Sequence, residues 1–427
     1  MANFALGGSR ALINLLWQKS SSPFLRNMSW LGASELFIRI TRLLTVIVLA
    51  RLLKPYDYGL AALVLTTNEF VDVFTHNGVW AKLVQVDAKD LKNFCQTAFW
   101  LNWLICGLLF IVQCLVAFPV AWFYRDNQII LPICVLASIY LILPISLVQA
   151  ALIQRENRLH VSAIISGLQN LIASILSVVL AFLGFGMWAM VLPRVLVAPI
   201  FVVGNYIYHD WRPSRILTVK HWQEIIKFGQ TILGIELLNT LRNNLDYIIV
   251  GRFLGVQALG IYYFAFNAGL VLTLSVASAI DRALFPHLCD ARTNLKQFRC
   301  RYLSSLKTIA VVIVPLILLQ SSLAPFYVPI IYGHKWIAAI PILILICLSG
   351  IPRPFATAAS LSIWALDKPH WDLAWNFFFT AIFALAVSIG THWNILGVAA
   401  AVLLIHVTAL PVYTFRVTRY VFRRTVY

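Results

Sequence analysis

Charge is what this sequence has least of. Asp, Glu, Lys and Arg make up 11% of its 427 residues, while 61% are hydrophobic. A soluble domain carries about 25% charged and about 45–50% apolar residues, so this composition cannot furnish a soluble surface. Acids are scarcer still, 16 against 33 Lys and Arg, for a net charge of +17. There is no C-x-x-C. The cysteines, Cys95, Cys106, Cys114, Cys134, Cys289, Cys300 and Cys347, are odd in number and lie mostly in apolar runs, where Cys acts as a small hydrophobe. A disulfide framework and a zinc site are thereby excluded. The His residues are scattered without an H-E-x-x-H, so no metal ligand and no catalytic residue is assigned. The opening residues lack the compact apolar core and small-residue cleavage site of a signal peptide. "ALINLLWQKS" reads either as a short helix on the membrane surface or as a loose tail, and residues 1–24 are set apart as a cytoplasmic or interfacial segment.

Long apolar runs fill the rest. A bilayer core of ~30 Å needs about 20 apolar residues per helix. Twelve runs qualify, at roughly 28–52, 58–82, 95–123, 129–153, 161–183, 185–208, 224–251, 257–281, 305–331, 337–365, 372–390 and 395–416. They are too long for a strand barrel and lack its period-2 alternation. The expected fold is an all-α integral membrane protein of about 12 transmembrane helices. Trp122, Tyr124, Trp211, Trp222, Trp336 and Trp371 fall near span ends and read as an interfacial belt. No loop exceeds about 25 residues, which leaves no room for an external catalytic domain.

The basic residues set the orientation. With the N-terminus in the cytoplasm, 23 of the 33 fall on the cytoplasmic side. Five, Arg51, Lys54, Arg125, Arg252 and Lys335, fall in outer loops. This bias is the positive-inside pattern, and both termini are expected in the cytoplasm. It also explains the basicity without nucleic acid as a partner.

The chain repeats itself. "LARLLKPYDYGL" (49–60) and "VGRFLGVQALGI" (250–261) align at a constant offset of 201 residues. Arg51 then meets Arg252, Gly59 meets Gly260, Glu35 meets Glu236, and Ile47 meets Ile248. An even number of spans separates the copies, so the repeat is parallel, about an axis along the membrane normal. The expected organisation is two six-helix bundles, 25–208 and 224–417, around a central cavity. A cytoplasmic linker joins them at 209–223 and a basic tail closes the chain at 418–427.

Five guanidiniums remain inside the spans: Arg39, Arg42, Arg194, Arg242 and Arg353. In "ELFIRITRLLTVIVLARLL", Arg39 lies about 40° and Arg42 about −20° from Glu35 around the helix. A charge facing lipid at mid-helix costs about 2.5–3.5 kcal/mol, so this stripe is expected to face protein or water. The acids available are Glu35, Glu69, Asp72, Glu236 and Asp246. Arg194 and Arg353 have no carboxylate nearby in sequence, and guanidinium does not deprotonate. Two readings stay open for each charge: structural pairing, or a cationic cavity in which forked guanidiniums hold an anionic, phosphate-bearing head. The acids are candidates for charge pairing or for ion coupling. No cofactor is expected beyond H+ or Na+ coupling or the membrane potential.

The stretches 25–63, "LRNMSWLGASELFIRITRLLTVIVLARLLKPYDYGLAAL", and 241–267, "LRNNLDYIIVGRFLGVQALGIYYFAFN", resemble the bacterial polysaccharide transporters. These are the Wzx-like oligosaccharide flippases of the MOP exporter superfamily. "RALFPHL" (282–288) resembles the same family. The resemblance implies an inner-membrane protein that turns polyprenyl-pyrophosphate-linked oligosaccharide from the cytoplasmic to the outer leaflet by alternating access, for surface or exopolysaccharide synthesis. It implies glycan polymerase and export proteins as partners beside membrane lipid. On family grounds it points to Arg39, Arg42 and Arg242, whereas Arg194 and Arg353 rest on the residues alone. The alternatives are a superfamily exporter of soluble solutes and a membrane glycan polymerase or ligase.

Overall fold

The computed structural model describes residues 23–75, 90–214 and 222–423, with positions 79, 82, 83 and 86. The tail before Pro23, Lys89, the linker segment 215–221 and the last four residues lie outside the described residues, as does the side chain of Glu35.

The elements are helical. In chain order they are α1 Pro23–Leu52, α2 Pro55–Asp72, α3 Leu91–Tyr124, α4 Ile130–Ala137, α5 Ile139–Ile142, α6 Leu147–Arg155, α7 Leu159–Phe182, α8 Trp188–Leu196 and α9 Ala198–Tyr208. Then follow α10 Trp222–Leu254, α11 Val256–Gly269, α12 Val271–Cys289, α13 Leu295–Tyr327, α14 Ile340–Ser349, α15 Pro352–Ala365, α16 Pro369–Gly390 and α17 Asn394–Arg423. Seven described stretches are long and apolar enough to cross a membrane by length and composition, and the pair α11 and α12, bent by 52°, makes an eighth. The stretch His370–Phe422 itself holds two helices, α16 and α17. The chain is a multi-pass membrane protein. The charge-bearing α1, α2 and α10 are not among the seven.

The expected span at 337–365 is broken. α14 stops at Ser349 and α15 restarts at Pro352, because proline cannot supply the N–H that would continue the ladder but fits the first turn of a new helix. α12 runs on to Cys289, and α13 begins at Leu295, each well beyond the apolar core of its run.

By Cα packing the described chain forms two units. The first takes α1 as far as Leu49, Asn68–Pro119 and Ile130–Leu237. Within it α7 packs on α8 and α9, and α4 on α8. The second takes Ala50–Thr67, Val120–Ile129 and Leu238–Tyr427. Within it α17 packs on α14, α15 and α16, and α11 on α14.

The second unit holds both copies of the repeated stretch, and they cross where their glycines match. A Cβ on Gly59 would stand 1.9 Å from the carbonyl oxygen of Val256, and one on Gly260 would stand 1.7 Å from that of Pro55. Pro55 and Val256 are themselves 201 residues apart. Each helix therefore presents a glycine to the first-turn carbonyl of its copy, an approach open only to a residue without a side chain.

Polar clasps flank the crossing. Arg51 donates from Nε to Ile331 O (2.7 Å) and from Nη2 to Ile330 O (2.5 Å). Its copy Arg252 donates from Nη1 to Phe123 O (2.6 Å). Lys335 Nζ returns to Arg51 O (2.8 Å) and Leu53 O (2.6 Å). Trp336, expected in the interfacial belt, is instead fully buried. It stacks on Phe264 at 3.9 Å and donates Nε1 to Ala50 O (2.8 Å). The reason is that indole can fill a core when its single N–H finds an acceptor. Trp122 remains exposed (81%).

Ala at Gly59 or Gly260 is expected to part α2 from α11 and to cost about 1–3 kcal/mol each. The double variant is expected to cost less than the sum, because one substitution already opens the crossing that both share. Thermal unfolding of the two single variants and the double checks this.

Candidate functional site

Charged side chains of α10, α15, α16 and α17 converge within the second unit, the acids buried and the two arginines half-buried. Arg242, on α10, donates from Nη1 to Asn376 Oδ1 on α16 and from Nη2 to Asn239 Oδ1 at 3.2 Å. One turn before Asn376 lies Asp372, only 4% exposed, within electrostatic reach of Arg242. Asp372 accepts from Ser360 Oγ (2.6 Å), Tyr413 OH (2.9 Å) and Trp364 Nε1 (3.0 Å).

Asp246 follows Arg242 by one turn of α10 and is as deeply buried. Its Oδ2 accepts from Tyr262 OH at 2.8 Å and its Oδ1 from the Tyr247 N–H at 3.0 Å. Arg353, in the first turn of α15, is attracted to Asp246 and sits 5.7 Å over the ring of Phe266. His406 on α17 is buried near both guanidiniums, with Nδ1 2.7 Å from Val402 O.

The break at Gly350–Ile351 explains this placement. It starts α15 inside the bundle, so Arg353 enters from a helix N-terminus rather than from mid-helix. Arg353 has no acid near it in sequence, yet folding brings Asp246 to it across 107 positions. The pairing is at range. Among the described residues neither Arg242 nor Arg353 makes a direct ion pair with Asp246 or Asp372, and both acids take their hydrogen bonds from neutral groups. Arg353 Nε is buried with no hydrogen-bond partner. A buried donor left unmade costs about 1–3 kcal/mol. The arrangement thus offers guanidinium donors, held in place and not consumed, to an anion that can accept from them.

The other candidates fall in the first unit. Arg42 and Arg194 are exposed, Arg39 is half-buried, and Glu69 is exposed. Asp72 accepts from Thr75 Oγ1 at 3.3 Å. Glu236 is half-buried near the end of this unit's share of α10. Asn68, on the same helix as Glu69, accepts from Gln113 Nε2 (3.3 Å) and Tyr140 OH (3.4 Å) in a buried polar knot. Sequence reasoning missed Asn376, Asp372, Tyr413, Gln113 and His406. His406 carried a signal, as an ionisable group well inside an apolar run, whereas Asp372 stands at the start of one.

No group of three or more His, Cys, Asp or Glu able to hold a metal is found among the described residues.

Asn at Asp246 is expected to leave Arg353 uncompensated and to cost about 3 kcal/mol. Adding Arg353→Gln to Asp246→Asn is expected to recover part of that loss, a coupling that a double-mutant cycle of thermal unfolding measures.

Known proteins agree with this architecture. The chain is 24% identical over 393 residues to the lipopolysaccharide biosynthesis protein WzxC of Escherichia coli (strain K12), covering 88% of this chain and 77% of that one. It is 25% identical over 327 residues to the teichuronic acid biosynthesis protein TuaB of Bacillus subtilis (strain 168), covering 76% and 67%. In structure it superposes on the lipid II flippase MurJ in an inward closed conformation, with a TM-score of 0.71 at 13% identity over 91% of this chain and 87% of that one. An inward-facing multidrug resistance MATE family transporter of the MOP superfamily gives 0.67 at 15% identity over 92% and 96%. These solved structures share the fold of this chain. Residues 48–341 match the family described as "Polysaccharide biosynthesis protein", and the chain belongs to that family.

Proposed function

We propose that this chain is a flippase. It carries polyprenyl-pyrophosphate-linked oligosaccharide units from the cytoplasmic to the outer leaflet of the inner membrane, by alternating access, for surface or exopolysaccharide synthesis. Family membership and the polysaccharide-biosynthesis names of its relatives support the pathway class. The single observation that carries the mechanism is the pair Arg242 and Arg353, brought together in the second unit with Arg353 Nε lacking a partner.

The work asked of the protein is recognition without bond chemistry. A pyrophosphate entering the hydrocarbon region needs counter-charge and donors, because a bare anion there is prohibitively costly. Forked guanidiniums supply both. Arg39, Arg42 and Arg194, in the first unit, are further cations open to an anionic head. The sugars need only water-lined passage, and the isoprenoid tail stays in lipid. Asp246 and Asp372 hold the guanidiniums from a distance and keep the unoccupied site near neutrality. With Glu35, Glu69, Asp72 and Glu236, Asp246 is also a place where H+ or Na+ binding could drive the cycle, unless the membrane potential does so alone. Export of cationic solutes fits less well, since fixed guanidiniums repel them.

A strain deleted for this gene is expected to retain lipid-linked glycan on the cytoplasmic leaflet. Arg242→Ala and Arg353→Ala are expected to give the same trapping, with protein at normal abundance and transport down about tenfold or more. Lipid-linked glycan that resists an added impermeant glycosidase in spheroplasts, read beside an immunoblot, checks this; full transport by a variant lacking both would contradict the reading.

A further inference from the structure

The orientation set by the basic residues leaves five cations on the outer side, where few are expected. Four of these five line two cavities. The first, about 310 Å³, is lined by Ala121, Trp122, Arg125, Asn127 and Arg252. The second, about 450 Å³, is lined by Arg51, Pro329, Tyr332, Gly333, His334 and Lys335. The fifth, Lys54, lies in the turn where its own N–H is capped by Asp57 at 3.0 Å.

The cavities share one repeat pair and a similar make-up. Arg51 and Arg252 are repeat mates at the offset of 201. Arg252 lies against the last turn of α3, and Arg51 against the turn that follows α13. Each cavity adds a second cation, Arg125 or Lys335, and an aromatic ring, Trp122 or Tyr332. Both fall in the size range of small-ligand sites, about 300–1,000 Å³.

Neither cavity is lined by a carboxylate. Asp126, beside Arg125, is occupied by Tyr56 OH (2.5 Å) and the Gln128 N–H (3.0 Å). The repeat arginines bond to backbone carbonyls, which fix the fork without cancelling its charge, and each fork keeps N–H groups beyond those used. Arg252 is further braced over the Phe123 ring at 4.8 Å. Arg125 is exposed, and its side chain makes no hydrogen bond among the described residues, so the clasp around the glycine crossing does not account for it. It sits at a left-handed φ of 57°, a conformation uncommon for a residue with a side chain.

We propose that these two cavities are anion sites on the outer face, each taking the phosphate of a lipid headgroup at the membrane surface. Two cations line each with no carboxylate among the lining residues, Asp57 acting on Lys335 only from outside the cavity, and paired cations are how a phosphate is held. The aromatic ring beside them suits the less polar part of the head, as aromatic residues do at membrane interfaces. The phosphate could be that of a bilayer phospholipid or of a pyrophosphate-linked lipid; the recognising chemistry is the same. These sites are separate from the Arg242 and Arg353 cluster and do not depend on the flippase reading.

Arginine-selective labelling tests this on the purified full chain. The chain is treated with phenylglyoxal, and modification of Arg51, Arg125 and Arg252 is read peptide by peptide by mass spectrometry. Inorganic pyrophosphate and short-chain phosphatidylglycerol serve as separate probes, with sodium chloride at matched ionic strength as the control. At least one probe is expected to slow labelling of Arg125 about tenfold relative to chloride. Protection by pyrophosphate alone assigns the sites to pyrophosphate-linked lipid, and protection by phosphatidylglycerol assigns them to the bilayer. Arg125→Gln, which removes no structural bond, is expected to abolish protection of Arg252 while leaving that of Arg51. Lys335→Gln is expected to do the reverse. Labelling unmoved by either probe beyond the chloride control, or protection of Arg252 that survives Arg125→Gln, overturns the proposal.

Discussion

A guanidinium inside a membrane protein cannot shed its charge. A carboxylate or an imidazole can escape desolvation by changing protonation state; an arginine must find acceptors or stay out. The architecture of the second unit follows from meeting that demand incompletely. Arg242 is anchored by two asparagine oxygens. Arg353 is steadied by the charge of Asp246 and the ring of Phe266, while its Nε is left with no acceptor. Asp246 and Asp372 could have closed over these bases as contact ion pairs. They are turned instead to Tyr262 and to the Ser360, Trp364 and Tyr413 cluster. A protein selected for stability alone would satisfy the arginine or replace it, since well-packed apolar residues often do as well as a buried ion pair. An unfinished arginine is better explained by an acceptor that comes and goes.

The repeat gives the same chemistry a second setting. Gly59 and Gly260 let two copies of one stretch cross at backbone distance, each glycine against the other helix's first-turn carbonyl. Arg51 and Arg252 then spend part of their donor capacity on carbonyls of the turns beyond. Sequence duplication thus becomes symmetric contact. Because the carbonyls are neutral, the positive charge persists at the surface, and the two cavities beside the crossing inherit it.

Much of the fold could be read from the residues. The apolar runs located most helices, and the matched Gly and Arg at one offset marked the repeat, though not the crossing of its two copies. The run at 337–365 reads as one span, yet Pro352 and Pro354 within it flank Arg353 at the helix break that the structure shows. What local reasoning could not supply were partnerships across long separations. Nothing near Arg353 in sequence points to Asp246, and nothing near Asp372 points to Tyr413. Trp336 looked interfacial because it lies at a span end; only folding reveals the Ala50 carbonyl that lets it be buried. Helix ends were misjudged where polar turns continue a helix past its apolar core, as from Leu295 to the start of the apolar run near 305.

The central claim, that the Arg242 and Arg353 guanidiniums carry a pyrophosphate head, is tested most directly by reconstitution. Purified protein is placed in liposomes containing a fluorescent polyprenyl-pyrophosphate-linked sugar, and the rate at which the label becomes accessible to an external quencher is measured. The account predicts rapid exchange with the native chain and its loss in Arg353→Gln. It also predicts that a lipid of the same tail and sugar, lacking the pyrophosphate, is not moved. Equal movement of both lipids, or undiminished exchange with Arg242 and Arg353 both replaced, would contradict it.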